Sequence, residues 1–271
     1  MYLLNSQGGI FVSKLARVML FLTRSKSIWS RNIRVWSKLA GPSLLGNFGE
    51  PVLYLLVLGY GLGQFVGEVE GLTYMAFLAS GVACTSAVNA ASFEGMYSAY
   101  TRMDVQQTWL GMLATPINVG EVVFGEILWA ATKSLISVSA ILIVSTVLGL
   151  IENAWAIFIL PVAFITGLCF ASLALLVTSS AKSYDFFLYY TTLFITPMVL
   201  LSGVFFPIDT LPNAVQWLTK ILPLYHAISL VRPLMTGGEV SSVFLHLFVL
   251  AAFGTTAAML ATFRIKKRLI K

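Results

Sequence analysis

Charged residues are scarce in this sequence. Asp, Glu, Lys and Arg make up only 10% of the 271 residues, whereas 58% are hydrophobic. A soluble domain carries roughly 25% charged residues, so this composition argues against a soluble globular protein. Four long stretches contain no charge, and they lie between Glu70 and Glu94, Glu152 and Lys182, Asp185 and Asp209, and Glu239 and Arg264. Each stretch can hold a helix of about 20 residues that crosses a bilayer, which predicts an integral membrane protein.

Residues and motifs of common catalytic sites are also missing. The sequence has only two cysteines, Cys84 and Cys169, in separate apolar runs, and only two histidines, His226 and His246. It contains no Walker A motif and no H-E-x-x-H, C-x-x-C or G-x-S-x-G pattern. We therefore expect no catalytic residue, no metal site and no cofactor or nucleotide site in this chain.

The hydropathy pattern predicts an all-α, polytopic membrane protein with six transmembrane helices in a single domain, residues 1–271. The predicted spans are residues 44–65, 73–93, 119–148, 154–179, 186–206 and 241–263. The first span is the least regular, because Glu50 and Pro51 lie inside it. Six spans put fourteen of the 17 Lys and Arg residues on one side, and basic loops face the cytoplasm. We therefore expect both termini in the cytoplasm.

The N-terminal segment, residues 1–40, is too basic to cross a membrane. Trp29 and Trp36 alternate there with Arg31 and Arg34 at helical spacing. This pattern predicts an amphipathic helix in the cytoplasmic interface, with its aromatic rings among the lipid headgroups. The alternative is an ordinary basic anchor beside the membrane.

The segment between the fifth and sixth spans, residues 207–240, predicts an outer helical hairpin. An amphipathic helix over 209–222 ends at Pro223, and a second short helix follows over 225–234. Neither helix is long enough to span a bilayer, so we expect a re-entrant or interfacial hairpin.

His226 and Arg232 are the two residues of this hairpin whose side chains are most able to take part in chemistry. They are six residues apart, so they do not share a helical face, and a joint catalytic role is not expected. We expect His226 to bond to backbone or to a neighbouring span, and Arg232 to cap a helix end or meet lipid headgroups. A role in substrate release is the alternative.

Four ionisable residues fall inside predicted spans, namely Glu50, Glu121, Glu126 and Lys133. Glu121 and Glu126 are expected near the cytoplasmic end of the third span. Charges inside a membrane are costly and are usually paired, so we expect Lys133 to meet a carboxylate of another span, such as Glu50. A structural ion pair is favoured here over contact with a substrate.

Two segments resemble a known family. "FEGMYSAYTRM…TWLGMLATPINVGEVVFGEI" looks like that family's loop after the second span, and "LLSGVFFPIDTLPNAVQWLTKILPLYHAISLVRPLMTGG" like its region after the fifth. The family is that of the membrane subunits of type-2 ABC exporters, which export polysaccharides, lipo-oligosaccharides and drugs. Within it, the chain is most similar to the permeases for nodulation lipo-oligosaccharides.

The resemblance implies a bacterial inner-membrane permease that works as a homodimer with a dimer of cytoplasmic ATPase subunits. ATP and Mg would bind to the ATPase, and the other partners would be membrane lipid and a glycolipid or oligosaccharide substrate, without nucleic acid. The cytoplasmic segment 94–118 would couple the permease to the ATPase through a helix beginning near Glu94. The coupling residues would be Glu94, Tyr97, Tyr100 and Arg102, and candidate residues of the translocation path are Tyr54, Tyr60, Phe77, Lys133, Tyr189 and Tyr190.

Three other functions are consistent with the same residues. One is a permease for drugs or other amphipathic molecules. Another is a membrane-embedded enzyme that acts on lipid-linked sugar, and the last is a scaffold that recruits a cytoplasmic protein through 94–118.

Overall fold

The protein is described by a computed structural model that covers residues 6–38 and 40–270, with the side chains of 6–15, 42–48, 50 and 51 outside the description. The described chain is almost entirely helical. Its helices are α1 (Ser6–Ser37), α2 (Ala40–Gly61), α3 (Gly63–Val66), α4 (Tyr74–Phe93), α5 (Thr108–Leu113), α6 (Val119–Val147), α7 (Ile159–Thr178), α8 (Asp185–Tyr190), α9 (Thr196–Leu201), α10 (Asn213–Thr219), α11 (Pro223–Thr236) and α12 (Val243–Leu269). Shorter 3-10 or π turns cover Glu94–Ser98, Thr101–Val105, Ala154–Phe158, Thr191–Ile195 and Ile208–Thr210.

Four described helical segments are long and apolar enough to cross a membrane, namely Tyr74–Val105, Val119–Val147, Ala154–Thr178 and Val243–Leu269. They coincide with four of the six predicted spans. The other two predicted spans coincide with shorter apolar helices, Val52–Val66 and Asp185–Leu201. The second of these contains Pro197 after a π turn, because proline removes a backbone donor and the helix adjusts locally.

The prediction of an all-α chain has one exception among the described residues. Strands β1 (Glu68–Val69) and β2 (Leu72–Thr73) form an antiparallel hairpin between α3 and α4. The two turn residues, Glu70 and Gly71, both have positive φ, at 54° and 75°. Positive φ at both positions is the type I′ geometry that suits a two-residue hairpin loop.

The prediction that a new helix begins near Glu94 is wrong. The helical chain continues without a break beyond α4 to Val105, through two π turns, and we call residues 94–105 the α4 extension. The sequence between Phe93 and Val105 contains no proline, and its one glycine, Gly95, lies where α4 crosses α7. A Cβ atom at Gly95 would lie 2.8 Å from that of Ala174, so the glycine permits close contact between helices instead of ending one.

The bundle is organised around α7, which packs against α4, α6 and α12. α1 packs lengthwise along α6. Phe21 lies beside Phe124, with ring centroids 5.5 Å apart, and Trp36 lies beside Trp129, at 5.8 Å. The basic N-terminal helix therefore has a protein partner from Phe21 to Trp36, while its location in the membrane interface stays a prediction.

The segment between α9 and α12 contains the two short helices that the sequence predicts. Pro223 begins α11 at its first turn, where a missing N–H does not matter. Gly237 follows α11 with φ 80°, the left-handed conformation that commonly ends a helix. α11 packs against α4, α7 and α12, so this segment is part of the bundle.

Candidate functional site

Glu126 of α6 is the centre of a buried polar cluster. Only 2% of the residue is exposed. Its two carboxylate oxygens accept hydrogen bonds from Arg102 Nε at 3.1 Å, from Trp109 Nε1 at 3.2 Å and from Asn32 Nδ2 at 3.1 Å. Arg102 Nη2 also donates to Glu126. A buried carboxylate needs such donors to offset its lost hydration.

Arg102 also joins Glu94 to the cluster, with Nη2 at 2.9 Å from Glu94 Oε1. On the other side, Arg31 donates to Asn32 Oδ1 at 3.0 Å. Burial lowers the pKa of Arg31, and Glu126 opposes that shift. The cluster therefore links α1, the α4 extension, α5 and α6 through hydrogen bonds. We call these residues, Arg31, Asn32, Glu94, Arg102, Trp109 and Glu126, the buried ion cluster.

The buried ion cluster depends on close contact between α1 and α6. Gly125 lies next to Glu126, and a Cβ atom there would lie 2.7 Å from Ile28 Cβ and 2.8 Å from the carbonyl oxygen of Ser25. Any larger residue would push α1 away. Further along the same interface, Trp29 Nε1 donates to Thr132 Oγ1 at 2.9 Å.

The other two predicted coupling residues, Tyr97 and Tyr100, form an aromatic cluster with Tyr184 and Phe187. The Tyr100 hydroxyl lies 2.9 Å from the carbonyl oxygen of Lys182. The rings therefore connect the α4 extension to the segment between α7 and α8.

Arg268, at the end of α12, extends these connections. It donates to the backbone carbonyl of Ala181 at 2.7 Å, just beyond the end of α7. It also pairs with Asp104 at 2.7 Å. The α4 extension is thus fixed by α12 as well as by α1, α6 and the α7–α8 segment.

Beyond this anchor, residues 104–118 form a mostly exposed segment that includes the short helix α5, and we call this segment the exposed turn. Val105, Gln106 and Gln107 are exposed, as are most residues from Leu110 to Asn118. Trp109 alone is buried here, and its side chain joins the buried ion cluster. Glu94 and Arg102, which were predicted to couple to a partner, lie behind this turn, and whether they touch a partner stays a prediction.

The sequence does not identify two residues of this site, Asn32 and Trp109. Their residue types are ordinary at a membrane boundary, and no spacing rule relates residue 32 to residue 109. The charge of Glu126 inside a predicted span is the signal that the sequence offers for this site.

The remaining predicted residues of the N-terminal helix are spread along α1. Arg34 is exposed and donates to Ser30 Oγ, 3.2 Å away. The Lys133 ammonium lies 5.2 Å from the centroid of the Trp36 ring, which is a cation–π contact. The expected partner of Lys133, Glu50, lies outside the residues whose side chains are described.

The candidate path residues do not gather in one place within the chain. Tyr54, Tyr60 and Tyr189 are exposed. Phe77 is buried under Arg232, whose guanidinium carbon lies 3.6 Å from the ring centroid. Tyr190 is partly buried, with its ring stacked on that of Phe194.

The two histidines of the chain are in contact. His226 Nδ1 and His246 Nδ1 are 2.8 Å apart, and His226 Nε2 lies 3.0 Å from the carbonyl oxygen of Lys220. Nε2 must donate to that carbonyl, so in the neutral pair Nδ1 of His226 accepts the proton of His246 Nδ1. Burial lowers the pKa of His226, and the nearby charge of His246 lowers it further. His226 thus bonds both to backbone and to a neighbouring span, as expected.

Arg232 lies on a different face of α11. Nε donates to Ser80 Oγ at 3.0 Å, and Nη2 donates to the carbonyl of Gly203 at 2.6 Å. Gly203 lies two residues beyond the end of α9. Arg232 therefore donates a hydrogen bond to a backbone carbonyl near a helix end, which is one of its two expected roles. Burial lowers its pKa to about 10, while Glu70 opposes the shift.

Comparison with known proteins decides the family. The family model for ABC-2 type transporters matches residues 23–236, from α1 to the end of α11. The chain belongs to the ABC-2 type transporter family. It is therefore a multi-pass membrane transport protein, and the buried ion cluster lies inside the matched region.

Individual relatives of this ABC-2 transporter agree. The chain is 44% identical to Nodulation protein J of Rhizobium meliloti (strain 1021) over 244 residues, 90% of this chain and 93% of that protein. It is 46% identical to Nodulation protein J of Rhizobium leguminosarum bv. viciae over 245 residues, 90% and 95% of the two chains. It is also 25% identical to the inner membrane transport permease YadH of Escherichia coli (strain K12), over 85% of this chain and 93% of that protein.

Proposed function

We propose that this ABC-2 transporter is the permease subunit of an ATP-driven exporter in the bacterial inner membrane. Its substrate is a lipo-oligosaccharide or another lipid-linked glycan. The similarity to Nodulation protein J over 90% of the chain supports this substrate class. ATP hydrolysis belongs to a separate cytoplasmic ATPase dimer, to which two copies of this chain bind.

The proposed topology has six spans and two cytoplasmic termini. The shorter apolar helices, Val52–Val66 and Asp185–Leu201, supply the first and fifth spans in addition to the four longer ones. The basic residues of α1 and of the end of α12 then lie on the cytoplasmic side. α10 and α11 form the outer hairpin.

The observation that carries the coupling mechanism is the buried ion cluster behind the exposed turn 104–118. Arg102 is bonded to Glu94 and Glu126, and Asn32 of α1 donates to Glu126, so force on the turn reaches α1 and α6 through side-chain contacts. The ATPase contacts the exposed turn, and ATP-driven closure of the ATPase moves the turn together with these helices. Glu94, Tyr97, Tyr100 and Arg102 act as the anchor of the coupling segment.

The path for the substrate lies between two copies of the chain. Tyr54, Tyr60 and Tyr189 are exposed in the single chain, so they are available to line such a path. Aromatic rings suit a glycolipid because they have an apolar body, and a tyrosine adds a polar tip.

The experiment reconstitutes the chain with the ABC ATPase that co-purifies with it and measures ATPase binding and ATP-dependent movement of a fluorescent lipo-oligosaccharide. Val105→Asp and Leu110→Asp alter exposed residues of the turn. We expect both variants to lose ATPase binding and transport. Ile270→Asp, at an exposed residue beyond the end of α12, is the matched control and should retain both.

Three results would contradict parts of this proposal. Unchanged ATPase binding in both turn variants would refute the coupling surface. Transport of an amphipathic drug without any glycolipid would refute the substrate class. Turnover of lipid-linked sugar by the purified chain alone, without ATP or a partner, would refute transport as its function.

A further inference from the structure

A cavity of about 420 Å³ lies between α11, the β1–β2 turn and the segment after α9. We call it the outer cavity. Its volume is within the usual range of small-molecule sites. Five charged residues line it, namely Glu70, Asp209, Lys220, Arg232 and Glu239.

The three carboxylates of the outer cavity are available to a ligand. None of them forms a salt bridge with another described residue. Among the described residues, no group of three carboxylate, histidine or cysteine side chains converges closely enough to hold a metal ion. Each of the three carboxylates can accept hydrogen bonds from a separate hydroxyl donor.

Two further lining residues of the outer cavity, Arg232 and Ser202, have hydrogen-bonding groups without a partner. Arg232 uses Nε and Nη2 on Ser80 and Gly203, which leaves Nη1 as a donor. Ser202 is fully buried, and its hydroxyl has no hydrogen-bond partner. A buried hydroxyl without a hydrogen-bond partner is unfavourable, so a ligand group that bonds to Ser202 would remove a penalty already present in the fold.

Tyr225 gives the outer cavity an amphipathic ring. It is partly exposed and lines the cavity. The rings of His226 and His246 meet it edge-on, with centroids 5.2 Å and 6.1 Å away. The histidine pair therefore fixes the orientation of Tyr225.

We propose that the outer cavity binds a neutral, hydroxyl-rich sugar ring of the exported glycan. Carboxylates accept hydrogen bonds from sugar hydroxyls, Arg232 and Lys220 donate to them, and Tyr225 covers the apolar edge of the ring. An anionic ligand would meet three carboxylates, and an apolar ligand would strip water from five charges without replacing their hydrogen bonds. The inference rests on the proposed function, because it takes the glycan as the cargo.

The test measures sugar binding to the full-length chain with its ATPase in nanodiscs. The probes are tetramers of glucose and of N-acetylglucosamine, detected by saturation-transfer NMR. Glu70→Gln and Glu239→Gln each remove one charge at an exposed residue, and Ser229→Phe fills the cavity from α11. Glu68→Gln is the matched control, because Glu68 is exposed, two residues from Glu70 and not part of the cavity lining.

We expect at least one tetramer to bind the unmodified protein and the Glu68→Gln control alike. Binding should fall at least about fivefold in Glu70→Gln and Glu239→Gln and be lost in Ser229→Phe. Equal binding in all variants, or no binding of either tetramer to the unmodified protein, would overturn the inference. The same samples are assayed for ATP-dependent export: export that persists in Ser229→Phe overturns the cavity site alone, whereas sugar binding without any export in the unmodified protein overturns the proposed function alone.

Discussion

Arg102 donates to both carboxylate oxygens of Glu126, through Nε and through Nη2, although the two residues lie on different helices. Both side chains are largely buried, with 14% and 1% exposed. Two parallel hydrogen bonds between a guanidinium and a carboxylate fix orientation as well as distance. The α4 extension therefore cannot rotate against α6 without breaking the pair.

Glu126→Gln should destabilise the protein strongly. The change leaves the Arg102 charge buried with Glu94 as its remaining partner, and breaking a buried pair costs about 3–5 kcal/mol. Thermal unfolding in detergent or nanodiscs measures the loss. Glu152→Gln, at an exposed residue, is the control and should unfold like the unmodified protein. A double-mutant cycle with Arg102→Gln should give a coupling energy of at least about 1 kcal/mol, and additive effects would contradict the pairing.

Gly125→Ala tests the contact between α1 and α6. The added Cβ would lie under 3.0 Å from Ile28 Cβ and from the Ser25 carbonyl, neither of which can move without moving α1. We expect a loss of about 1–3 kcal/mol, as for other overpacked cores, together with faster proteolysis of α1.

Gly111→Ala is the control for this change. No atom lies within 4 Å of a Cβ at that position. Because alanine favours a helix more than glycine does, Gly111→Ala should be neutral or slightly stabilising. Equal effects of the two substitutions would contradict close packing at Gly125.

The long helices could be predicted from the sequence because a long uncharged, apolar stretch is typical of a membrane-spanning helix. Ala154–Thr178 differs from the predicted fourth span by one residue, and Val243–Leu269 begins two residues from the prediction. Composition could not predict that α4 continues past Glu94. That depends on Gly95 packing against α7, which is a tertiary contact.

The buried ion cluster was beyond sequence reasoning for a similar reason. Glu94, Arg102 and Glu126 were each visible as charges near a predicted span. Their convergence, however, depends on α1 lying along α6, and a single sequence does not specify how helices pair. The contact between His226 and His246 likewise requires α11 to pack against α12.

Glu70→Asn should stabilise the β1–β2 hairpin. Glu70 has φ 54°, a conformation that costs most residues roughly 1 kcal/mol and that asparagine tolerates better. The change creates the Asn-Gly pair preferred in type I′ turns. We expect a gain of about 0.5–1 kcal/mol in unfolding free energy, measured by thermal or denaturant unfolding. Glu68→Asn, in strand β1, should give no gain, since asparagine is disfavoured in strands.

The histidine pair should make stability depend on pH below neutrality. The pKa of His226 is lowered in the fold by burial and by His246, whereas in the unfolded chain it is about 6.5. Well above pH 6.5 neither state binds this proton, so His226 does not make stability depend on pH there. Below it the unfolded chain takes up a proton that the fold resists, and stability falls, by at most about 1.4 kcal/mol per pH unit for one proton.

Unfolding measured from pH 8 to 5.5 should show this fall, because the chain has no other histidine. His226→Gln keeps a donor for the Lys220 carbonyl but cannot take up a proton. It should therefore make the profile below pH 6.5 shallower, because only His246 can still take up a proton, while lowering stability at pH 8. A profile in the variant that matches the unmodified protein would mean that the acid sensitivity does not arise from His226.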